Sequence, residues 1–272
     1  MTIEVVELRD PNEAFERARA FLFAYPAQNN LPLSILGQSR EQGLEGRYWI
    51  VEHDAGVVGF ALQSPPGMRV VLARMEVGVV RALAESIEPP LPGVLGDAAG
   101  AATFAGVFGL AHHVPVVDTD PGRLYELTHV DAVLPVSGTP RLATAADREL
   151  VARWLVDFAG DTDDPAGPHV MDEADRRIAR GAFWLWDDGD AVCLVGTRDP
   201  VAGYGRIGPV YTPPERRRRG YATGCVAHVS RVLVEQGLRC VLYTQLSNPT
   251  ANAIYHRMGY RPIGEILGYG FG

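Results

Sequence analysis

No lysine occurs anywhere in this sequence; all 25 basic residues are arginine. That excludes any chemistry for which the chain itself must supply a side-chain amine, such as Schiff-base formation or a P-loop lysine. Cysteine is scarce. Cys193, Cys225 and Cys240 are too few and too irregularly spaced for a disulfide framework or a zinc site, so a reducing, cytoplasmic setting is expected and no metal. Basic charge is outweighed as well, 25 residues against 33 acidic ones for a net −8, which argues against a nucleic-acid partner. The opening MTIEVVELRD carries charge at once and lacks the apolar core of a signal peptide. The uncharged stretch 98–117 has membrane-span length, but it is built of Ala and Gly and broken by His112, His113 and Pro115. It reads as a buried helix followed by a strand, with no membrane partner.

What is present points to α/β architecture in two similar halves. A strand at 3–8 leads into a helix after Asp10 with Phe15, Ala18 and Leu22 on one face. RLAT, further on, leads into a helix from Ala145, where Thr144 and Asp147 form a capping-box start and Leu150, Val151, Trp154, Leu155 and Phe158 make a stripe. Each helix is followed by a hairpin-like pair, 47–62 and 182–196, with an Asp/Gly turn between β-rich runs. The pattern predicts a duplicated domain, 1–137 and 138–272. Their junction falls in 135–141, where Pro, Ser and Gly cluster after a strand reading LYELTHVDAVL.

The chemistry sits in 206–223, RIGPVYTPPERRRRGYAT. A strand breaks at Pro213-Pro214, and a helix follows with Ala222, Val226, Val229 and Leu233 on one face and Gly237 as its stop. Four consecutive arginines alone would be a solvated face or a weak anion patch. Placed before Gly220 at a helix start they make a phosphate cradle: bare main-chain N–H groups, the positive end of the helix dipole, and guanidinium groups beside them.

Arg217-x-x-Gly220-x-Ala222 matches the [QR]-x-x-G-x-[GA] motif of the GCN5-related N-acetyltransferases (GNAT), and 239–265 resembles that family's following strand, Asn–helix–Tyr segment and last strand. The resemblance implies two tandem GNAT-like domains, each a mixed, mostly antiparallel twisted sheet flanked by helices. It implies an acyltransferase that moves an acetyl group from acetyl-CoA to a primary amine of a small molecule or peptide. In that family the strand before the loop pairs with the pantetheine arm, a role that falls here on Val210, Tyr211 and Thr212. The diphosphate would lie on Arg217, Arg218, Arg219, Gly220, Tyr221, Ala222 and Thr223, with one arginine of 216–219 reaching the 3′-phosphate. Asn248, Asn252 and Tyr255 match the residues beyond the next strand that face the cofactor. Tyr255 corresponds to the general acid that protonates the departing thiolate, a modest task because thiolates leave readily.

One departure matters. Many relatives carry a Glu on the strand corresponding to 203–212, and GYGRIGPVYT has no carboxylate. The general base is left unassigned among Asp163, Asp164, His169, Glu173 and a water route through Tyr204 or backbone carbonyls. That gap keeps open a non-catalytic acyl-CoA sensor. The arginine run also leaves a nucleic-acid contact as a weaker reading. The first half lacks the cradle: 68–87 runs from strand to helix with Glu76 where a phosphate would sit. It is expected to be a degenerate copy that walls the acceptor site or pairs two copies into a homodimer.

Overall fold

The computed structural model describes residues 3–54, 56–119, 121–162 and 169–272. The chain forms two compact units that do not follow chain order. The first comprises Met1–Tyr125, Tyr243–Pro249 and Pro262–Gly272, the second Glu126–Leu242 and Thr250–Arg261.

The first unit opens with β1 (Glu4–Leu8), α1 (Pro11–Ala24) and α2 (Asn30–Gln42). Asp10 caps α1 by accepting from the Asn12 N–H at 2.9 Å. Next come β2 (Arg47–His53), β3 (Gly56–Gln63), β4 (Val70–Leu72) and α3 (Val77–Ser86). β5 (Gly93–Asp97), α4 (Ala98–His112), β6 (Val116–Asp118) and β7 (Gly122–Leu127) follow. β1 to β4 form an antiparallel meander, and β4 pairs with β5 in parallel. The uncharged stretch is α4, which buries Ala101, Phe104, Ala105 and Phe108. Among the described residues no helix is long and apolar enough to cross a membrane. The strand after it, β6, is exposed rather than buried. The strand read as LYELTHVDAVL stops at Leu127; beyond it the Asp131 N–H donates to the Met258 carbonyl at 2.9 Å instead of to a neighbouring strand.

The same order of elements returns in β8 (Thr139–Leu142), α5 (Arg148–Thr162), α6 (Val170–Ala179), β9 (Phe183–Asp188), β10 (Asp190–Val201) and β11 (Tyr204–Tyr211). It continues through α7 (Tyr221–Glu235), β12 (Arg239–Gln245), α8 (Pro249–Arg257) and β13 (Arg261–Phe271). β8 to β11 are antiparallel neighbours in sequence, and β11 pairs in parallel with β12. The expected capping box at Thr144 and Asp147 is present, closing a short 3₁₀ turn before α5. Val151 and Trp154 of the expected stripe are buried against Phe183, Leu185, Leu194 and Tyr211; Leu150, Leu155 and Phe158 pack on that core half-buried. β13 lies far in sequence from the strands it joins, yet it runs antiparallel between β5 and β6.

Candidate functional site

β11 and β12 stay paired only from Tyr204↔Arg239 to Ile207↔Leu242. Beyond Ile207, β11 keeps its neighbour β10 on one side and has an open edge on the other. There the β10–β11 register also slips: Val195 faces Val210 and Thr197 faces Ile207, so Gly196 stands opposite both Gly208 and Pro209. This is a β-bulge. Antiparallel neighbours alternate between hydrogen-bonded and non-bonded positions. One of Val210 and Tyr211 therefore turns its N–H and C=O toward the open edge.

The chain from Thr212 to Gly220 carries β11 into α7. Arg218 and Gly220 both have positive φ, +63° and +85°, which bends the backbone back on itself before the helix. Among the described residues no oxygen accepts a hydrogen bond from the N–H groups of Arg218 through Thr223. They are six adjacent donors at the positive end of a helix of fifteen residues. α7 is seated from below. Gly224 lets it approach the Trp186 indole, whose Nε1 donates to the Ser137 carbonyl at 2.8 Å. The Tyr221 hydroxyl donates to Asp188 at 2.6 Å, and that bond, with one from Ser137, holds the Asp188 carboxyl below its usual range. Tyr221 therefore anchors the helix with its side chain and has only its N–H to offer a ligand.

Arg217 is likewise committed. Its Nε donates to the Thr212 carbonyl at 2.9 Å, it pairs with Asp161 of α5, and its guanidinium lies 6.0 Å from the Tyr211 ring centre. Arg218 and Arg219 form no ion pair among the described residues, and Arg216 reaches Asp190 only at 3.9 Å. The buried Thr212 Oγ1 has no hydrogen-bond partner among the described residues. An open cavity of about 340 Å³ flanks the turn, with Arg153, Asp157, Tyr211 and Arg216 in its wall. The Tyr211 hydroxyl donates to Asp157 at 3.4 Å, and burial, then Asp157 and Asp161, push that phenol up. Asp157 and Asp161 were not singled out from the sequence. Their one-turn spacing after Trp154 on α5 was the available signal.

Val210 to Thr212 and Arg217 to Thr223 thus meet at one end of the second unit. Asn252 and Tyr255 belong to that unit too, whereas Asn248 groups with the first. Tyr255 is buried, with its ring centre 5.8 Å from that of Tyr260; burial and then Cys193 raise its hydroxyl well above the usual phenol. Among the candidate bases, Asp163 and Asp164 lie outside the described residues. His169 is exposed beside Asp172. Glu173 is held by Arg177 at 3.1 Å and Arg198 at 3.2 Å; burial pushes its carboxyl up, but the two guanidinium groups outweigh that and keep it ionised. Tyr204 donates to Glu126 at 2.9 Å at the end of β11 where that strand is still paired with β12.

Among the described residues the first unit shows no such cradle. β4 reaches α3 through Ala73 to Glu76 alone, and Glu76 sits at the N-cap with no side-chain cap bond. A cavity of about 360 Å³ does persist beyond the Val71↔Leu95 pair, bounded by Leu72, Asp97, Leu124, Tyr243 and Glu265.

Comparison with known proteins fits this arrangement. The FR47-like protein family model matches residues 195–267. No curated protein matches the chain. Among solved structures, an acetyltransferase of the GNAT family from Colwellia psychrerythraea is 13% identical, covers 100% of both chains and superposes with a TM-score of 0.62. A GCN5-related N-acetyltransferase from Sphaerobacter thermophilus is 16% identical over 97% of this chain and 94% of its own, with a TM-score of 0.64. A tandem GNAT protein from the clavulanic acid biosynthesis pathway is 14% identical, covers 98% of each chain and gives 0.56. At such identities the likeness is one of fold. The chain has the tandem fold of the GCN5-related N-acetyltransferases, and the FR47-like match contains the open strand edge, the loop and the helix of its second unit.

Proposed function

We propose that the second unit binds acetyl-CoA and transfers its acetyl group to a primary amine of a small molecule or peptide. The observation that carries this reading is the row of N–H groups from Arg218 to Thr223 that no described oxygen occupies. A diphosphate supplies acceptor oxygens in that spacing, and buried or dipole-aligned donors of this kind favour anions strongly. Arg218 and Arg219 add exposed cationic side chains for the remaining phosphate. The pantetheine arm would then lie along the open edge of β11 as an added strand, with Val210, Tyr211 and Thr212 beside it.

On this reading an N–H of that edge polarises the thioester carbonyl and stabilises the negative charge that grows on its oxygen as the amine adds. The Tyr255 phenol, which burial raises further above its ordinary value, is protonated at neutral pH, the state a donor to a departing thiolate needs. The amine must lose a proton, and Glu173, committed to two arginines, is a poor base. Asp157 and Glu215, both on the wall of the open cavity, are the carboxylates of the second unit proposed to receive it. Asn252 is proposed as a cofactor contact beyond β12.

Titration calorimetry with acetyl-CoA tests the reading. Wild type should bind, and Arg218→Glu with Arg219→Glu together should weaken binding at least tenfold without changing the melting temperature. No heat with wild type would end the proposal. Binding without thiol release across a panel of primary amines would instead favour a sensor of acyl-CoA, the alternative that the missing strand carboxylate supports.

A further inference from the structure

Arg177 of α6 is buried to 6% exposure, an expensive place for a guanidinium unless it is fully engaged. Its engagement is specific. Nη1 donates to Glu173 at 3.1 Å; Nη2 donates to the Thr197 carbonyl of β10 at 3.0 Å and to the Gly208 carbonyl of β11 at 3.3 Å. The group lies 4.1 Å from the centre of the Phe183 ring, and its Nε has no partner among the described residues. One side chain thus joins two strands at the point where their own ladder is interrupted by the bulge. Gly196 is shaped around it: a Cβ there would stand 2.7 Å from Arg177 Nη2 and 2.9 Å from the Gly208 carbonyl oxygen.

The bulge begins immediately after Ile207, the last residue of β11 paired with β12. The register that Arg177 fixes is therefore the register of Val210 and Tyr211 on the open edge. We infer that Arg177 is a positioning residue that pins the bulged β11 carbonyl of Gly208 and so aims the open-edge N–H of β11 at the thioester carbonyl. Burial, then the charge of Arg198, pull its guanidinium down to about 9, which still leaves it cationic at neutral pH. Lysine in its place would keep the charge and lose the planar fork that reaches two carbonyls on different strands. The inference rests on the acetyl-CoA reading for its catalytic half and stands without it for its structural half.

The test uses Arg177→Lys and the milder Glu173→Gln in the full chain, with two readouts. In the free protein, hydrogen exchange over 204–212 should quicken at least tenfold in Arg177→Lys while peptides from α7 stay unchanged; unchanged exchange in 204–212 would overturn the inference whatever the cofactor proves to be. With carbonyl-labelled ¹³C acetyl-CoA, wild type should move the thioester resonance downfield on binding. Arg177→Lys should bind within about threefold of wild-type affinity, lose most of that displacement, and cut acetyl transfer to hydroxylamine by tenfold or more. A full wild-type displacement in a variant with quickened exchange would sink the aiming role. If Arg177→Lys fails to fold, Glu173→Gln must give the same changes in smaller degree, and an unaltered signal there would count against the idea. Absence of any binding by wild type would strike at the acetyl-CoA reading and leave the exchange result to decide this one.

Discussion

Gly220 carries more constraint than its neighbours in the arginine run. Its φ of +85° is a conformation that side chains disfavour, and a Cβ would stand 3.0 Å from Val136 Cγ2. Gly220→Ala should therefore cost about 1 kcal/mol of stability and leave acetyl-CoA affinity within a few-fold, whereas Gly220→Glu should abolish binding by placing a carboxylate against the diphosphate. Calorimetry and a thermal melt on both variants separate strain from charge. The cysteines give a second expectation at this scale. All three thiols are buried; burial pushes Cys240 up to about 12, and a bond from Cys193 with burial raises Cys225. Thiolate is the reactive form, so a maleimide at pH 8 should label none of them until the protein unfolds, and labelling of the native state would contradict the burial. The motif residues themselves were legible because their spacing is local. The commitments of Arg217 to Asp161 and of Tyr221 to Asp188 were not, since they depend on which strand or helix lies opposite.

The elements follow from local chemistry where a cap or a turn is spelled out. Thr144 and Asp147 announced the start of α5, and the Asp/Gly turns announced the β9–β10 hairpin. At that cap Arg141 bonds both oxygens of Asp147, at 2.7 and 2.8 Å, and holds its carboxyl well below the usual range. A carboxyl depressed by folding stabilises the fold above its unfolded pKa and loses that contribution as pH falls through its folded value. Asp147→Asn should thus cost about 1 kcal/mol at pH 7, discounted for the partial exposure of Arg141. The difference from wild type should shrink steadily as the pH is lowered below about 4. Urea melts at pH 7 and pH 3 decide it; a gap that widened in acid would refute the assignment. The bulge in β11 was not readable, because Gly208-Pro209 signals an interrupted strand without saying what holds it, and Arg177 lies on α6, 31 residues earlier in the chain.

At the scale of the molecule, chain order and contact order part company. The sequence supports a cut at 137/138, since the element pattern repeats on either side of it. Periodicity marks a segment as a strand, however, and does not name its neighbour. β13 reads as the last strand of the second half, yet ten of its residues, Pro262–Phe271, group by contact with the first unit. There it pairs Ile266↔Asp97 through Gly270↔Gly93 with β5, and Phe271 stacks 4.8 Å from Phe108 on α4. The first unit's core thus depends on residues made last. Phe271 is only half-buried, so Phe271→Ala should cost less than a full core aromatic, roughly 2 kcal/mol. The location of the loss is the sharper test. Hydrogen exchange in the variant should quicken in β5, β6 and α4, which share the Phe104–Phe108–Phe271 stack and its strand neighbours, while β9, β10 and α7 keep wild-type protection. Faster exchange confined to α7 and β10 would mean that β13 serves the unit whose sequence it follows, and the contact partition would be wrong.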